Sequence, residues 1–279
     1  MSALPAARRR LGLLTAFFGL ELVVAWVLAA PFAELAARVL GNHPDGDKVA
    51  FWTPGMHVLF DLAMQHGVAL RALVGGTAIG LVVWWALSIF LEGALFAGLA
   101  EEGELRAPRL GERTFGLAAR MVGLAAIALI GTLVLVLLCG VFPISTMMPK
   151  LDGATPRASV IALAFPVLFT AFVLASFKAF VDLVAALCTR RDCSLGAGLA
   201  LALRAPKRVL ALTGLALPRW IAAAGLLGFG AAFSTGSRSV FAIFVAHQAL
   251  AFGRVALRGS VVARALRVAD SMPVAEGAG

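Results

Sequence analysis

Charged side chains inside long apolar segments are the residues of this sequence that could carry chemistry, because a charge in the bilayer interior is costly. Three are acidic and three are basic: Glu21, Glu92, Lys178, Asp182, Arg219 and Arg254. Such groups form proton relays or ion paths, or they pair with one another and hold helices together. Glu21 and Arg219 lie near the middle of their segments, and the other four lie towards one end. Equal numbers of acids and bases predict pairing inside a helical bundle.

The four charges near one end are predicted to form one buried polar cluster. The simpler alternative is that they reach towards the membrane surface or only hold helices together. Lys178 and Asp182 are four residues apart and share a helix face. Arg254 is the more specific partner for Asp182, because desolvated carboxylate–guanidinium pairs are often bidentate. For Glu21 a functional role and structural pairing stay equally open, but a relay would need a second acid at its depth, and the sequence has none.

The histidines give weak candidates for a metal site. His57 and Asp61 share one face of a predicted short helix, and both residue types ligate zinc. The spacing of a zinc motif such as H-E-x-x-H is absent, so we predict a wet amphipathic helix with no metal and no other cofactor. His247 and Gln248 are predicted to make hydrogen bonds between helices rather than to form a relay.

No catalytic residue is predicted. The sequence has no G-x-S-x-G nucleophile motif, no Walker A lysine loop and no G-x-G-x-x-G after a strand. The three cysteines contain no C-x-x-C pair and indicate neither a disulfide framework nor a metal site. An intramembrane enzyme is therefore the least favoured class of function.

The elements that must position these residues are apolar helices. Hydrophobic residues make up 61% of the 279 residues and charged residues 14%, with a mean hydropathy of +0.95; soluble domains are about 50% apolar and 25% charged. Roughly 20 apolar residues cross a bilayer as a helix. The predicted spans are residues 11–30, 72–95, 121–142, 160–187, 209–233 and 240–258. We predict an all-α, polytopic transmembrane bundle of six helices, forming a single domain over residues 1–270 before a disordered tail (271–279).

Lysines and arginines are unevenly distributed around these spans. Sixteen of the 24 flank the N-terminus, the loops after the second and fourth spans, and the C-terminus, whereas six lie on the other side. Because basic loops stay in the cytoplasm, both termini are predicted to be cytoplasmic. The net charge of +9 is then explained by topology, so no nucleic-acid partner is invoked. A cleaved signal peptide is disfavoured, since the first apolar run exceeds the usual 7–15 residues and contains Glu21.

The loops carry their own predictions. Residues 31–71 form the longest loop outside the cytoplasm, and Thr53-Pro54 is expected to begin an amphipathic extracytoplasmic helix there. The charged stretch from Glu101 to Arg113 is predicted to be a solvated turn segment, and Pro143 to Arg157 an irregular loop. Ser194 is predicted to cap a short helix.

Several short segments, spread over most of the chain, also carry a resemblance. They are Phe90-Leu91-Glu92-Gly93-Ala94-Leu95, Phe115, Asp182, Ser194 to Leu212, His247-Gln248, Arg254 and Arg258. On these the sequence resembles uncharacterised bacterial six-helix integral membrane proteins, which are similar to the membrane domain of some glycerophosphoryl diester phosphodiesterases. The resemblance implies a fold and a place in the bacterial cytoplasmic (inner) membrane. It implies no activity, because the phosphodiesterase active site lies in a separate soluble domain.

A full set of spans without a catalytic constellation favours a non-catalytic membrane protein, a scaffold or accessory component that binds other membrane or envelope proteins or lipid. The alternative is a small transporter or channel-like protein that uses the intramembrane charges. A hydrated cavity at Glu21 would favour transport, and pairing of Glu21 with another helix would favour scaffolding. The expected partners are the lipid bilayer and other membrane proteins or further copies of this chain.

Overall fold

The computed structural model describes residues 10–40, 67–101, 106–148, 156–214, 221, 225 and 240–272. Within these ranges the chain is helical apart from short connections, and no strand occurs among them. The helices are α1 (Leu11–Leu40), α2 (Gly67–Ala100), α3 (Ala107–Leu135), a π-helical turn (Val136–Val141), α4 (Phe142–Met147), α5 (Pro156–Arg191), α6 (Leu195–Leu203), α7 (residues 206–214) and α8 (Val240–Asp270). The all-α expectation is confirmed for this part of the chain.

Four helical stretches are long and apolar enough to cross a membrane. They are Leu11–Pro31, Val74–Ala100, Ala107–Met147 and Ala162–Arg191. These stretches overlap the first four predicted spans, and the third is longer than predicted because it begins at Ala107 and ends at Met147. The overlap supports a membrane protein. Their outer faces expose large apolar side chains such as Trp26, Val82 and Phe165, and lipid is the solvent that suits such a surface.

Two predicted loops are wrong in part. The third helix begins at Ala107, so the predicted turn segment up to Arg113 is already helical from that residue. Pro108 stands in its first turn, where the fixed backbone of proline favours a helix start. The predicted irregular loop from Pro143 to Arg157 contains α4, and α5 begins at Pro156, a second proline in a first turn.

The six-span count is not decided by these helices. Most of the predicted fifth span, together with Arg219, lies outside the described residues. The predicted sixth span corresponds to the first part of α8, which continues to Asp270 and is not among the four stretches above. The predicted extracytoplasmic amphipathic helix also lies outside the described residues.

Contacts divide the chain into two compact units. Unit 1 comprises Met1–Leu11, Ile89–Ala223 and Ala256–Gly279, and unit 2 comprises Gly12–Ser88 and Ala224–Val255. The division falls within α2 and α8, so each of these helices contributes one part to each unit.

Unit 1 is built around the second half of α5. Every residue from Val181 to Cys188 is buried, as expected of a helix with neighbours on all sides. Small side chains allow α3 to approach it closely: a Cβ on Gly131 would collide with the ring of Phe177. The hydroxyl of Thr170 on α5 lies 2.7 Å from the carbonyl oxygen of Cys139 in the π-helical turn, where regular α-helical bonding is interrupted.

Unit 2 contains most of α1 and the first parts of α2 and α8. The rings of Phe18 on α1 and Phe252 on α8 meet edge to face, with centroids 5.5 Å apart, a favoured aromatic geometry. Gly80 on α2 is approached by the side chain of Leu28 on α1, so that a Cβ there would clash with it. Close helix packing at a small residue is a common way to join membrane helices.

Candidate functional site

A buried ion pair joins α5 and α8 in unit 1. Arg258 donates through Nη1 to Asp182 Oδ2 at 2.6 Å and through Nη2 to Asp182 Oδ1 at 2.9 Å. This is the bidentate arrangement that matches a guanidinium to a carboxylate. The Asp182 side chain is only 3% exposed, and it lies within the fully buried part of α5. The pair therefore fixes the register of the two helices against each other.

Two further charges complete this site, which we call the Arg258 cluster (Glu92, Lys178, Asp182 and Arg258). Arg258 Nη2 also donates to both carboxylate oxygens of Glu92 on α2, each at 3.0 Å. Lys178 Nζ lies 3.3 Å from Asp182 Oδ1 and 3.7 Å from Glu92 Oε1. Two acids and two bases balance, which reduces the cost of placing them in an apolar bundle.

The partner that the sequence suggested for Asp182 was wrong. Asp182 is paired with Arg258, and Arg254 is paired instead with Glu21. Arg258 follows Arg254 by four residues, which is about one turn of a helix. The two arginines therefore lie on the same face of α8, and the prediction chose the correct face but was wrong by one turn along the helix axis. The expected cluster of Glu92, Lys178 and Asp182 does form, and Arg258 is the member that sequence reasoning missed.

Glu21 lies in an ion pair within unit 2. Arg254 Nη2 donates to Glu21 Oε2 at 2.7 Å, joining α8 to α1. The Glu21 side chain is 21% exposed and the Arg254 side chain 70%, so the acid is the shielded partner. The edge-to-face contact of Phe18 and Phe252 joins the same two helices. A long guanidinium side chain can extend towards water while its stem remains among apolar groups.

Arginines at the end of α5 hold the C-terminal ends of α2 and α8. Arg190 Nη1 donates to the carbonyl oxygen of Ala100 at 2.8 Å, and its Nε lies 3.3 Å from Asp270 Oδ1. Arg191 Nη2 donates to the carbonyl oxygen of Ala269 at 3.1 Å. The last carbonyls of a helix have no partner within that helix, so these guanidinium groups satisfy them. The parts of α2, α5 and α8 that belong to unit 1 therefore run in the same direction.

The last turn of α8 and Ser271, which follows it, make a further contact with α7. Arg208 Nη1 donates to the hydroxyl of Ser271 at 2.5 Å and to the carbonyl oxygen of Val268 at 3.4 Å. Burial, with the neighbouring charge of Arg264, lowers the pKa of Arg267 in this turn. An arginine nevertheless stays protonated at neutral pH, so the end of α8 remains basic.

Unit 1 also contains a cavity of about 570 Å³ that is partly open to the surface, which we call the end cavity. It is lined by Ala97, Ala100, Glu101, Arg113, Gly116, Leu117, Thr189, Arg190 and Asp192. Arg113 Nη1 lies 2.6 Å from Glu101 Oε2, and Arg120 Nη1 donates to Asp192 Oδ1 at 2.5 Å. Charged groups of both signs thus form its rim, and small side chains form much of its wall. No sequence motif predicts this cavity, because residues from three separate segments of the chain line it.

The remaining candidates are less informative. Arg219, His57 and Asp61 lie outside the described residues. The side chain of His247 is exposed, and Gln248 Oε1 is buried with no hydrogen-bond partner among the described residues. Within those residues no group of three or more His, Cys, Asp or Glu side chains is placed to hold a metal ion.

Comparisons of the chain with protein-family models, curated proteins and solved structures found no match. The described part of the chain offers paired charges between helices and one cavity with a charged rim. Ion pairs of this kind position helices, and a cavity of this size can receive a small molecule or part of one.

Proposed function

We propose that this protein is a non-catalytic integral protein of the bacterial inner membrane, acting as a scaffold or accessory component. It would bind other membrane or envelope proteins or lipid through its apolar outer faces. The observation that carries the proposal is the pairing of its intramembrane charges between helices, above all Glu21 with Arg254.

Pairing bears directly on the two candidate functions. A proton or ion path uses intramembrane charges that exchange with water or with the transported ion. Here Glu21 binds Arg254, and Arg258 binds both Asp182 and Glu92. Each of these contacts joins two different helices. Charges used in this way stabilise one arrangement of the bundle, which is what a platform for partners requires.

Helix direction supports six spans with both termini in the cytoplasm. In unit 1 the ends of α2, α5 and α8 meet through Arg190, so these helices run in the same direction. Helices that cross a membrane in the same direction are separated by an odd number of crossings. The helical stretch from Ala107 to Met147 would supply one crossing between α2 and α5, and the predicted fifth span would supply one between α5 and α8.

The proposed location follows from charge distribution and from resemblance. The end of α5, which meets the end of α2 in unit 1, carries Arg190 and Arg191, and basic ends are retained in the cytoplasm. The resemblance to bacterial six-helix membrane proteins, similar to the membrane domain of glycerophosphoryl diester phosphodiesterases, agrees with an inner-membrane protein without its own activity.

Transport is the second candidate, favoured by one observation. Glu92 and Lys178 in the Arg258 cluster are each about two-fifths exposed. Exposed charges of this kind could exchange an ion if water reached them. Flux through liposomes that contain the purified protein would support this function and contradict the scaffold.

Site-specific photocrosslinking in cells tests the scaffold directly. A photoreactive residue replaces Trp26, which is 72% exposed on α1, or Leu183, which is fully buried in α5 and serves as the control. We expect the Trp26 position to give adducts with another membrane or envelope protein, or with a second copy of the chain. The Leu183 position should give none.

Crosslinking and flux measurements together decide between the scaffold and the transporter. Absence of protein adducts at Trp26 and at a second outer position, Phe165 on α5, would overturn binding of protein partners through these faces. If solute flux is then found in liposomes, the transporter replaces the scaffold.

A further inference from the structure

The end cavity lies where three apolar helical stretches meet the water boundary. The apolar stretch of α2 ends at Ala100 and that of α5 ends at Arg191. Both ends contribute to the wall of the cavity, together with the first turns of α3. Those first turns contain Arg109, Glu112 and Arg113, charges that do not belong in hydrocarbon. The cavity is therefore at the depth that phospholipid headgroups occupy.

Its rim carries charges of both signs. Arg113 and Arg190 contribute guanidinium groups, and Glu101 and Asp192 contribute carboxylates. The Arg113 side chain is 57% exposed, and its pair with Glu101 engages Nη1. A guanidinium has five N–H donors, so the same side chain can bind a phosphate as well. The hydroxyl of Thr189 adds a neutral polar group to the lining.

The wall and the volume suit a headgroup rather than a single ion. Ala97, Ala100, Gly116 and Leu117 contribute apolar surface. The volume of about 570 Å³ falls within the roughly 300–1,000 Å³ of small-molecule sites. Beyond the cavity, α3 exposes apolar side chains such as Val122 and Leu129, along which acyl chains could lie.

We propose that the end cavity binds the headgroup of a phospholipid that carries both a phosphate and a primary ammonium group. The phosphate is bound by Arg113 and Arg190, since guanidinium groups match phosphate oxygens. The ammonium group is bound by Glu101 and Asp192. This inference rests on the proposed membrane function and gives its lipid-binding part a site and a ligand class.

Native mass spectrometry of the full-length protein in detergent, with added lipids, tests the ligand class. Phosphatidylethanolamine has both charged groups, phosphatidylglycerol has only the phosphate, and phosphatidylcholine has an ammonium group that cannot donate hydrogen bonds. We expect phosphatidylethanolamine to remain bound in preference to the other two. Equal retention of all three lipids would overturn the proposed class. Displacement of the lipid by soluble phosphoethanolamine at equal concentration would overturn a lipid as the source of the group.

Two glycines on α3 provide a matched pair of variants. A Cβ on Gly116, which lines the cavity, or on Gly111, which does not, meets no atom within 4 Å. Both Gly116→Leu and Gly111→Leu should therefore fold. We expect Gly116→Leu to fill the cavity and abolish retention of phosphatidylethanolamine, and Gly111→Leu to leave it unchanged. Unchanged retention in Gly116→Leu would overturn the site, whatever the crosslinking at Trp26 shows for protein partners.

A charge variant tests the recognition of phosphate. Arg113→Gln removes a guanidinium from the rim, and Arg204→Gln removes an exposed one that does not line the cavity. Because a hydrogen bond to a charged group contributes about 1.5–3 kcal/mol, we expect Arg113→Gln to weaken binding of phosphatidylethanolamine about tenfold or more. Equal effects of the two variants would contradict a specific role for Arg113.

Discussion

Arg258 on α8 binds both carboxylate oxygens of Asp182 on α5. Because Asp182 is almost completely buried, its charge has no water to replace a lost partner. Removing one member of a buried pair is more damaging than the net contribution of the pair would suggest. The packing of α5 against α8 in unit 1 is therefore expected to depend on this ion pair.

Replacement of Asp182 by asparagine should destabilise the protein. Asp182→Asn leaves Arg258 with Glu92 alone, and loss of one partner from a buried pair costs about 3–5 kcal/mol. Since 22% of the Arg258 side chain is exposed, we expect the lower end of this range, about 3 kcal/mol. The measurement is the midpoint of thermal unfolding in detergent.

The control for this variant is Asp192→Asn. Asp192 also pairs with an arginine, Arg120, but its side chain is 89% exposed. An exposed pair contributes about 1 kcal/mol or less. Equal shifts of the unfolding midpoint in the two variants would show that burial of Asp182 has no special importance.

Exchange of the charges at Glu21 and Arg254 should restore stability that either single change removes. Glu21→Arg places two cations together, and Arg254→Glu places two acids together, whereas the double variant recreates an opposite pair between α1 and α8. The amount of folded protein extracted from membranes and its unfolding midpoint are the measurements. A double variant that is no more stable than the less stable single variant would contradict the pairing. If a variant kept its stability but lost a solute flux measured for the unchanged protein, transport would be favoured.

These cases show what the sequence could and could not predict. The length of each apolar run was enough to predict the four helical stretches that are long and apolar enough to cross a membrane. Ser194 caps α6 as expected, since its side chain accepts a hydrogen bond from the backbone N–H of Ala197. The charges Glu92, Lys178 and Asp182 share one end of the bundle, which their positions in the spans already indicated.

The position of α8 along its axis, relative to the neighbouring helices, could not be predicted in the same way. Arg254 and Arg258 occupy the same helix face, so periodicity alone cannot choose between them as partners of Asp182. The choice depends on the position of α8 along the axis of α5. Residues of α8 such as Val262 and Leu266 are fully buried, so we infer that packing contributes to this position as well as charge. The end cavity could not be predicted from the sequence either, because it forms only where the ends of three helices meet.

Close approach of α3 to α5 predicts a severe effect at Gly131. Gly131→Ala would place a Cβ against the ring of Phe177, and overpacking of this kind costs about 1–3 kcal/mol. Gly111→Ala, at an open position of the same helix, should be neutral or slightly stabilising because alanine favours helix. Thermal unfolding of both variants in detergent measures the difference. The double variant Gly131→Ala with Phe177→Leu should recover part of the loss, and no recovery would contradict the contact.

Labelling of single cysteines tests the proposed topology, including the fifth span that lies outside the described residues. Cys193, in the connection after α5, is partly exposed, whereas Cys188 is buried. If the end of α5 is cytoplasmic, a membrane-impermeant maleimide should label Cys193 in inside-out vesicles and not in intact spheroplasts.

The complementary position is in the predicted short loop between the fifth and sixth spans. In a variant without the native cysteines, Ser237→Cys should be labelled in intact spheroplasts, because an odd number of crossings separates it from Cys193. The cysteine-free protein is the control for background labelling. Labelling of both positions from the same side would mean an even number of crossings between them, and the six-span arrangement would then be wrong. The parallel ends of α5 and α8 in unit 1 make opposite sides the expected result.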